Sequence, residues 1–158
     1  MKSLHTAIVM ARGGREGFVK SANGVLEMRM VMPRALGGPG EAFGTNPEEL
    51  FAAGYAACFE SSLRLEARRR GFALNDMSVV AEVTIGKDGE GYVLSTVIVG
   101  YLPGLEQADA EALMQAAHAT CPYSKATRDN LPVTLRTETS APPQPDGLRL
   151  ASADSPTG

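Results

Sequence analysis

The stretch TNPEELFAAGYAACFESSLRLEARRRG, residues 45–71, decides the fold. Thr45 or Asn46 can cap a helix, Pro47 suits its first turn, and Glu48 complements the positive end of its dipole. Leu50, Phe51, Gly54, Tyr55, Cys58, Ser61, Ser62 and Leu65 recur at spacings of three and four, the stripe of a long amphipathic helix. Ala52, Ala53, Ala56 and Ala57 fill its sides, so its middle is apolar nearly all round. A helix of that kind is buried or lies in an interface. Arg68, Arg69 and Arg70 place favourable charge at its C-terminal end and read as a solvated helix terminus, and Gly71 stops it.

Working outward from this helix, residues 4–10 read as a first strand, and Gly13, Gly14 and Gly17 around Arg15 as a mobile turn. After the tight-turn pair Asn23-Gly24, Leu26, Met28, Met30 and Met32 alternate with their neighbours as in a half-buried strand that Pro33 ends. Residues 34–45, with five glycines and prolines in their middle, form a loop. Downstream, Val79 to Ile85 and Tyr92 to Tyr101 form a hairpin about the turn Lys87–Gly91. Residues 106–119 form a second helix, and Pro122 to Arg128 start a short further one. Val133 to Glu138 is a last strand. This order predicts an α+β fold with antiparallel sheets. One domain covers residues 1–139, and the Pro-, Ser- and Asp-rich segment 140–158 reads as a disordered tail.

The whole chain has 158 residues, enough for one domain with a real core. Its net charge of −3 gives no broad basic face, so nucleic acid and anionic membrane are poor partners. No apolar run approaches the ~20 residues of a membrane span, and the N-terminus is too polar for a signal peptide. A cytoplasmic protein is expected. Two cysteines are too few for a secreted disulfide scaffold.

In a reducing compartment, Cys58 and Cys121 are either small buried hydrophobes or working thiols. Their spacing alone does not show that they meet. The boundary Thr120-Cys121-Pro122-Tyr123-Ser124 favours working thiols, because a helix start there brings amide dipoles near sulfur. His118 and Cys121 have metal-like separation and Cys58 could be a third zinc ligand, but no CxxC or HExxH pattern is present, and His118 reads better as an ordinary helix residue. The glycine-rich loops match no nucleotide-binding pattern, and no G-x-S-x-G elbow is present. Glu48-Glu49 reads as first-turn helix charge.

The segments TNPEELFAAGYAACF (45–59) and CPYSKATRDN (121–130) closely resemble the organic hydroperoxide resistance proteins, a branch of the family named after the osmotically inducible protein C. ARGGREG (11–17) and LGGPGEAFGTNPE (36–48) fit the same pattern, and the resemblance spans about residues 4–138. It implies an intertwined homodimer of α+β subunits with the long helices buried centrally. It also implies a thiol peroxidase that needs no metal, haem or flavin and takes dihydrolipoamide or a lipoylated protein as reductant. By the same resemblance Cys58 is the peroxidatic cysteine and Cys121 the resolving one. Arg15 is the arginine that holds the thiolate, and Glu48 the carboxylate that orients this arginine. Phe51, Tyr55, Tyr123, Leu36 and Phe43 are the expected substrate-binding side chains. Lys125 stands where this branch commonly has Asn, a departure that bears on substrate or reductant preference rather than on the chemistry.

The residue types suit such chemistry. A thiolate attacks the peroxide oxygen, and a nearby guanidinium favours the thiolate. The resulting sulfenic acid condenses with a second thiol to a disulfide. The alanine, leucine and aromatic setting favours a fatty or aryl alkyl hydroperoxide over hydrated hydrogen peroxide. Glu48 and Cys58 stand ten residues apart, roughly 15 Å along one helix. Arg15 therefore struggles to touch both in one chain, and the expected site is built across a dimer. Arg15 and Glu48 come from one subunit, and Cys58 and Cys121 from the other. The competing expectation is a thiol redox sensor or hydrophobic ligand-binding module without turnover.

Overall fold

A computed structural model describes residues 2–40, 43–73 and 76–144. The organising element is helix α1, Pro47–Arg69, of 23 residues. Asn46 caps it: the side-chain oxygen accepts a hydrogen bond from the Glu49 backbone N–H at 2.8 Å. Pro47 needs no partner for its nitrogen in the first turn, and Glu48 and Glu49 sit at the positive end of the dipole. Gly71, at φ +78°, takes the left-handed conformation that ends the helix.

The buried face of α1 carries Tyr55, Phe59, Ser62, Leu63, Glu66 and Ala67. This corrects the phase of the predicted stripe. Phe59 and Leu63 are fully enclosed, whereas Ser61 and Leu65 face outward. Nor is the helix buried all round within one chain: Ala53, Ala57, Ser61 and Leu65, four apart in sequence, form an uncovered face. Because this helix is apolar on most sides, its periodicity does not choose a face. The elements packed against it make that choice.

Those elements are a three-stranded sheet and two helices. Strands β4, Ser78–Lys87, and β5, Tyr92–Tyr101, pair antiparallel with Val80 opposite Val99. Asp88 closes their turn by accepting hydrogen bonds from the N–H groups of Glu90 and Gly91. Strand β6, Val133–Glu138, then pairs parallel to β5, with Ile98 opposite Leu135. The expectation of wholly antiparallel sheets is thus corrected. Helices α2, Gln107–Thr120, and α3, Pro122–Thr127, form the crossover that returns the chain to the starting end of β5. The core lies between α1, α2 and this sheet, around Phe59, Leu63, Ile98, Leu102 and Leu113.

The N-terminal part forms a second sheet from β1, Val9–Arg12, β2, Phe18–Ser21, and β3, Glu27–Arg29, paired antiparallel in that order. The expected strand at 4–10 begins later, the expected strand at 26–32 is shorter, and β2 was not anticipated. Arg15 lies in a 3-10 turn, Gly14–Glu16, that joins β1 to β2, with Gly13 left-handed at φ +80°. Among the described residues this sheet packs extensively against no other element. Ile8, at 65% exposure, Val9, Met10 and Met28 are left open to solvent. Met30, by contrast, is buried and bridges to Thr45, which ties the sheet to the start of α1. Most of the segment expected to be a disordered tail, residues 145–158, lies outside the described residues. No helix among those residues is long and apolar enough to cross a membrane.

Candidate active site

Two features stand near α1, a thiol pair and an ion pair. Cys58 projects from the middle of α1 and is half-buried. Cys121 is fully enclosed at the joint where α2 ends and α3 begins. The thiol of Cys121 points at the Cys58 sulfur, with the two Sγ atoms 3.7 Å apart. A disulfide needs a sulfur–sulfur distance near ~2.05 Å, so closure requires a further approach of about 1.6 Å. Both cysteines are free thiols. The fold therefore brings together two residues 63 apart in sequence, which spacing alone could not reveal.

Burial pushes the Cys58 thiol above its ordinary value, because the charged form loses water. The backbone N–H of Tyr123, in the first turn of α3, acts the other way and favours the charged form. Cys121 adds an upward push, as a neighbouring thiol disfavours a second negative charge. No cation is among the groups that shift Cys58 within its own chain.

The ion pair stands one end of the helix away. The Arg15 guanidinium meets the Glu48 carboxylate in a two-pronged contact, Nη1 to Oε2 at 2.8 Å and Nη2 to Oε1 at 2.6 Å. Fork-to-fork pairing of this kind fixes the guanidinium plane. It holds the Glu48 carboxyl below its usual range and raises Arg15 further. Ten residues separate Glu48 from Cys58, roughly 15 Å along the helix axis. In one chain, then, Arg15 joins Glu48, and Cys58 joins Cys121, as two separate pairs.

The side chains expected to bind substrate divide similarly. Phe51, Tyr55 and Tyr123 form an aromatic cluster, with Phe51 edge-on to Tyr55 at 5.9 Å and Tyr55 at 5.8 Å from Tyr123. Tyr123 lies over Gly54, where a side-chain carbon would come within 3.0 Å of its hydroxyl. Tyr55 is completely enclosed, because it shares the inward face of α1 with Phe59. It backs this cluster rather than lining an open surface. Leu36 is half-buried at the end of the 3-10 turn Arg34–Leu36, and Phe43 is 89% exposed. Neither belongs to the hydrophobic cluster that holds Tyr55, Phe51 and Cys58. Lys125 is exposed on α3.

Sequence reasoning names His118 and Tyr55 but not the hydroxyl that joins them behind the thiols, Ser124. The Nδ1 atom of His118 lies 3.0 Å from the hydroxyl of Ser124, and the Tyr55 hydroxyl lies 3.0 Å from the same oxygen. His118 is thus engaged with Ser124 rather than with the two sulfurs. Among the described residues no group of three or more His, Cys, Asp or Glu side chains is arranged to hold a metal ion.

Residues 38–136 match the family model described as OsmC-like protein. The organic hydroperoxide resistance protein OhrA of Bacillus subtilis is 46% identical over 134 residues, covering 84% of this chain and 94% of that protein. An organic hydroperoxide resistance protein of Xanthomonas axonopodis pv. citri is 42% identical, covering 85% of this chain and 94% of its own length. Among solved structures, an organic hydroperoxide resistance protein from Elizabethkingia anophelis superposes with a TM-score of 0.82 at 42% identity, over 89% of this chain and all of that one. The two sheets and three helices described above are shared with these structures, and the chain belongs to the OsmC-like protein family.

Proposed function

We propose that this chain is a cysteine-based peroxidase that reduces organic hydroperoxides to alcohols. The observation that carries this reading is the thiol pair: a half-buried Cys58 with a fully enclosed Cys121 aimed at its sulfur from 3.7 Å. The names of the relatives at 42–46% identity point to the same substrates. The Cys58 thiolate attacks one peroxide oxygen and breaks the O–O bond. The alkoxide leaves, takes up a proton and becomes the alcohol, while Cys58 is oxidised to the sulfenic acid. The Cys121 sulfur then attacks the Cys58 sulfur, water leaves, and the disulfide forms. Two electrons and two protons from dihydrolipoamide or a lipoylated protein restore both thiols. The aromatic cluster of Phe51 and Tyr123 suits a fatty or aryl alkyl hydroperoxide. No resident metal, haem or flavin takes part in the steps so described, and a cytoplasmic location agrees with two free thiols.

The proposal includes a homodimer. The Cys58 thiol is pushed up within its own chain, and an efficient nucleophile needs the opposite. The ion pair at the start of α1 holds an oriented guanidinium that is not among the groups acting on Cys58 of the same chain. The N-terminal sheet and the Ala53–Ala57–Ser61–Leu65 face of α1 stand uncovered. A second copy laid on these faces buries them and brings its Arg15 and Glu48 to Cys58 and Cys121. The test is turnover of cumene or tert-butyl hydroperoxide with dihydrolipoamide. Many equivalents consumed per chain support the reading. A single equivalent followed by arrest favours a redox sensor and overturns it.

A further inference from the structure

One hydroxyl joins all three helices beside the thiols. Ser124 is fully enclosed, and its oxygen lies 3.0 Å from both the Tyr55 hydroxyl and His118 Nδ1. Tyr55 stands on α1 three residues before Cys58. His118 stands on α2 three residues before Cys121, and Ser124 on α3 three residues after it. A serine hydroxyl offers one hydrogen and two lone pairs, so it can donate to one of these partners and accept from the other. Burial first, and Arg128 second, push His118 below its ordinary value and favour the neutral ring that fits either role. Thr127 extends the chain: its hydroxyl lies 3.3 Å from that of Tyr55 and donates to the Tyr123 carbonyl at 2.9 Å. Arg128 reaches the carbonyls of His118 and Ala119 at the end of α2.

These contacts matter because α3 has only six residues. A helix of one or two turns has little stability of its own. Yet its start sets the direction of Cys121, which has about 1.6 Å still to travel. We propose that Ser124 is a positioning residue for disulfide closure, which pins the α2–α3 joint to α1 through His118 and Tyr55 so that Cys121 stays aimed at Cys58. The inference rests on the peroxidase reading. It assigns the pin chiefly to the second step, since closure alone requires the Cys121 sulfur to reach Cys58, whereas attack draws on α3 only through Tyr123.

The experiment follows each step separately by rapid quenching and mass spectrometry after mixing the full-length protein with cumene hydroperoxide. Ser124→Ala and His118→Leu should slow closure about ten-fold, the order that a small misplacement of reacting atoms carries. Attack should slow less than about two-fold, because the lost hydrogen bonds do not touch the substrate. Sulfinic acid at Cys58 should appear at correspondingly lower peroxide. His118→Asn, whose amide reaches the place of Nδ1, should keep closure near the wild-type rate. Closure within two-fold of wild type in both Ser124→Ala and His118→Leu, or an equal loss in both steps, overturns the proposal. If one of these variants does not fold, the other decides against His118→Asn. Wild-type protein whose Cys58 is not oxidised by peroxide overturns the functional reading itself, and this inference with it.

Discussion

Replacing Arg15 by Met removes the guanidinium while keeping a long side chain, and its effect on Cys58 can be worked out from the site. A thiol with an ordinary value near ~8.5 is only about 3% thiolate at pH 7. Within its own chain Cys58 is pushed higher, chiefly by burial, and only the Tyr123 N–H opposes this. A guanidinium at about 4–6 Å lowers such a value by ~1–3 units. Arg15→Met should therefore raise the Cys58 value by about 1–3 units in the assembled protein. For a rise of about two units the thiolate fraction at pH 7 falls roughly 100-fold, while the more basic thiolate gains about ten-fold in intrinsic reactivity. The net loss in attack rate at pH 7 is then about ten-fold, and it shrinks and reverses as pH rises above the variant's value. Glu48→Gln separates charge from orientation. It leaves the cation in place, removes a counter-charge and abolishes one prong of the 2.6–2.8 Å contact. Charge alone predicts a lower Cys58 value in this variant, and loss of orientation a higher one. The assay is ultraviolet absorbance of the thiolate against pH, with Cys121→Ser as the common background. An Arg15→Met shift below about 0.3 units would show that the guanidinium does not face the thiol, and the reasoning would be refuted.

Three further outcomes follow from the same geometry. Arg15→Met subunits, slowed about ten-fold, and inactive Cys58→Ser subunits, mixed and allowed to exchange, should reach about a quarter of wild-type activity, because half the dimers then hold one complete site; a site built within one chain stays at or below the residual activity of Arg15→Met. Glu48→Gln should lower stability at pH 7 by about 1–2 kcal/mol, measured by urea unfolding at fixed protein concentration. Arg15 depresses the Glu48 value in the folded state, so this stabilisation is present above the unfolded value near ~4.3. It is lost as pH falls through the folded value, and the gap between variant and wild type should close there; a gap constant to low pH contradicts the assignment. Gly100→Ala should cost about 1–3 kcal/mol, because a side-chain carbon on β5 would collide with the sulfur of Met114, which is itself buried; an unchanged urea midpoint would mean that α2 is less tightly seated on the sheet than described.

What could be read from the sequence had local causes. Helix α1 announces itself because Asn46, Pro47, Glu48 and Gly71 each act on the nearest turn. The hairpin and β6 show through alternation about clear turn residues. What could not be read depends on distant partners. The face that α1 buries is legible only in part: Phe51, Tyr55, Cys58 and Ser62 belong to it, but alanines on both sides leave the phase open until α2 and β4 pack against Phe59 and Leu63. The parallel pairing of β6 is invisible to periodicity, which carries no strand direction. Strand β2 has four residues between a glycine and a turn, too few for a pattern. In the site, the roles of Cys58 and Cys121 came from a family motif, and only the fold shows how close their sulfurs stand. The pair Arg15–Glu48, 33 residues apart, likewise came from motifs rather than spacing. The link from His118 through Ser124 to Tyr55 is not legible because a buried hydroxyl has no sequence signature: Tyr55 lies 69 residues from Ser124.

The central claim is that peroxide oxidises Cys58 and that Cys121 captures the product. The most direct measurement is mass spectrometry of the protein after one equivalent of cumene hydroperoxide, with cumyl alcohol measured in the same sample. The account predicts one alcohol per chain, the loss of two hydrogens, and a single peptide pair linked through Cys58 and Cys121. Cys121→Ser should instead gain oxygen at Cys58, and Cys58→Ser should leave the peroxide untouched. Peroxide consumed equally well by Cys58→Ser, or a wild-type product without the Cys58–Cys121 link, would contradict it.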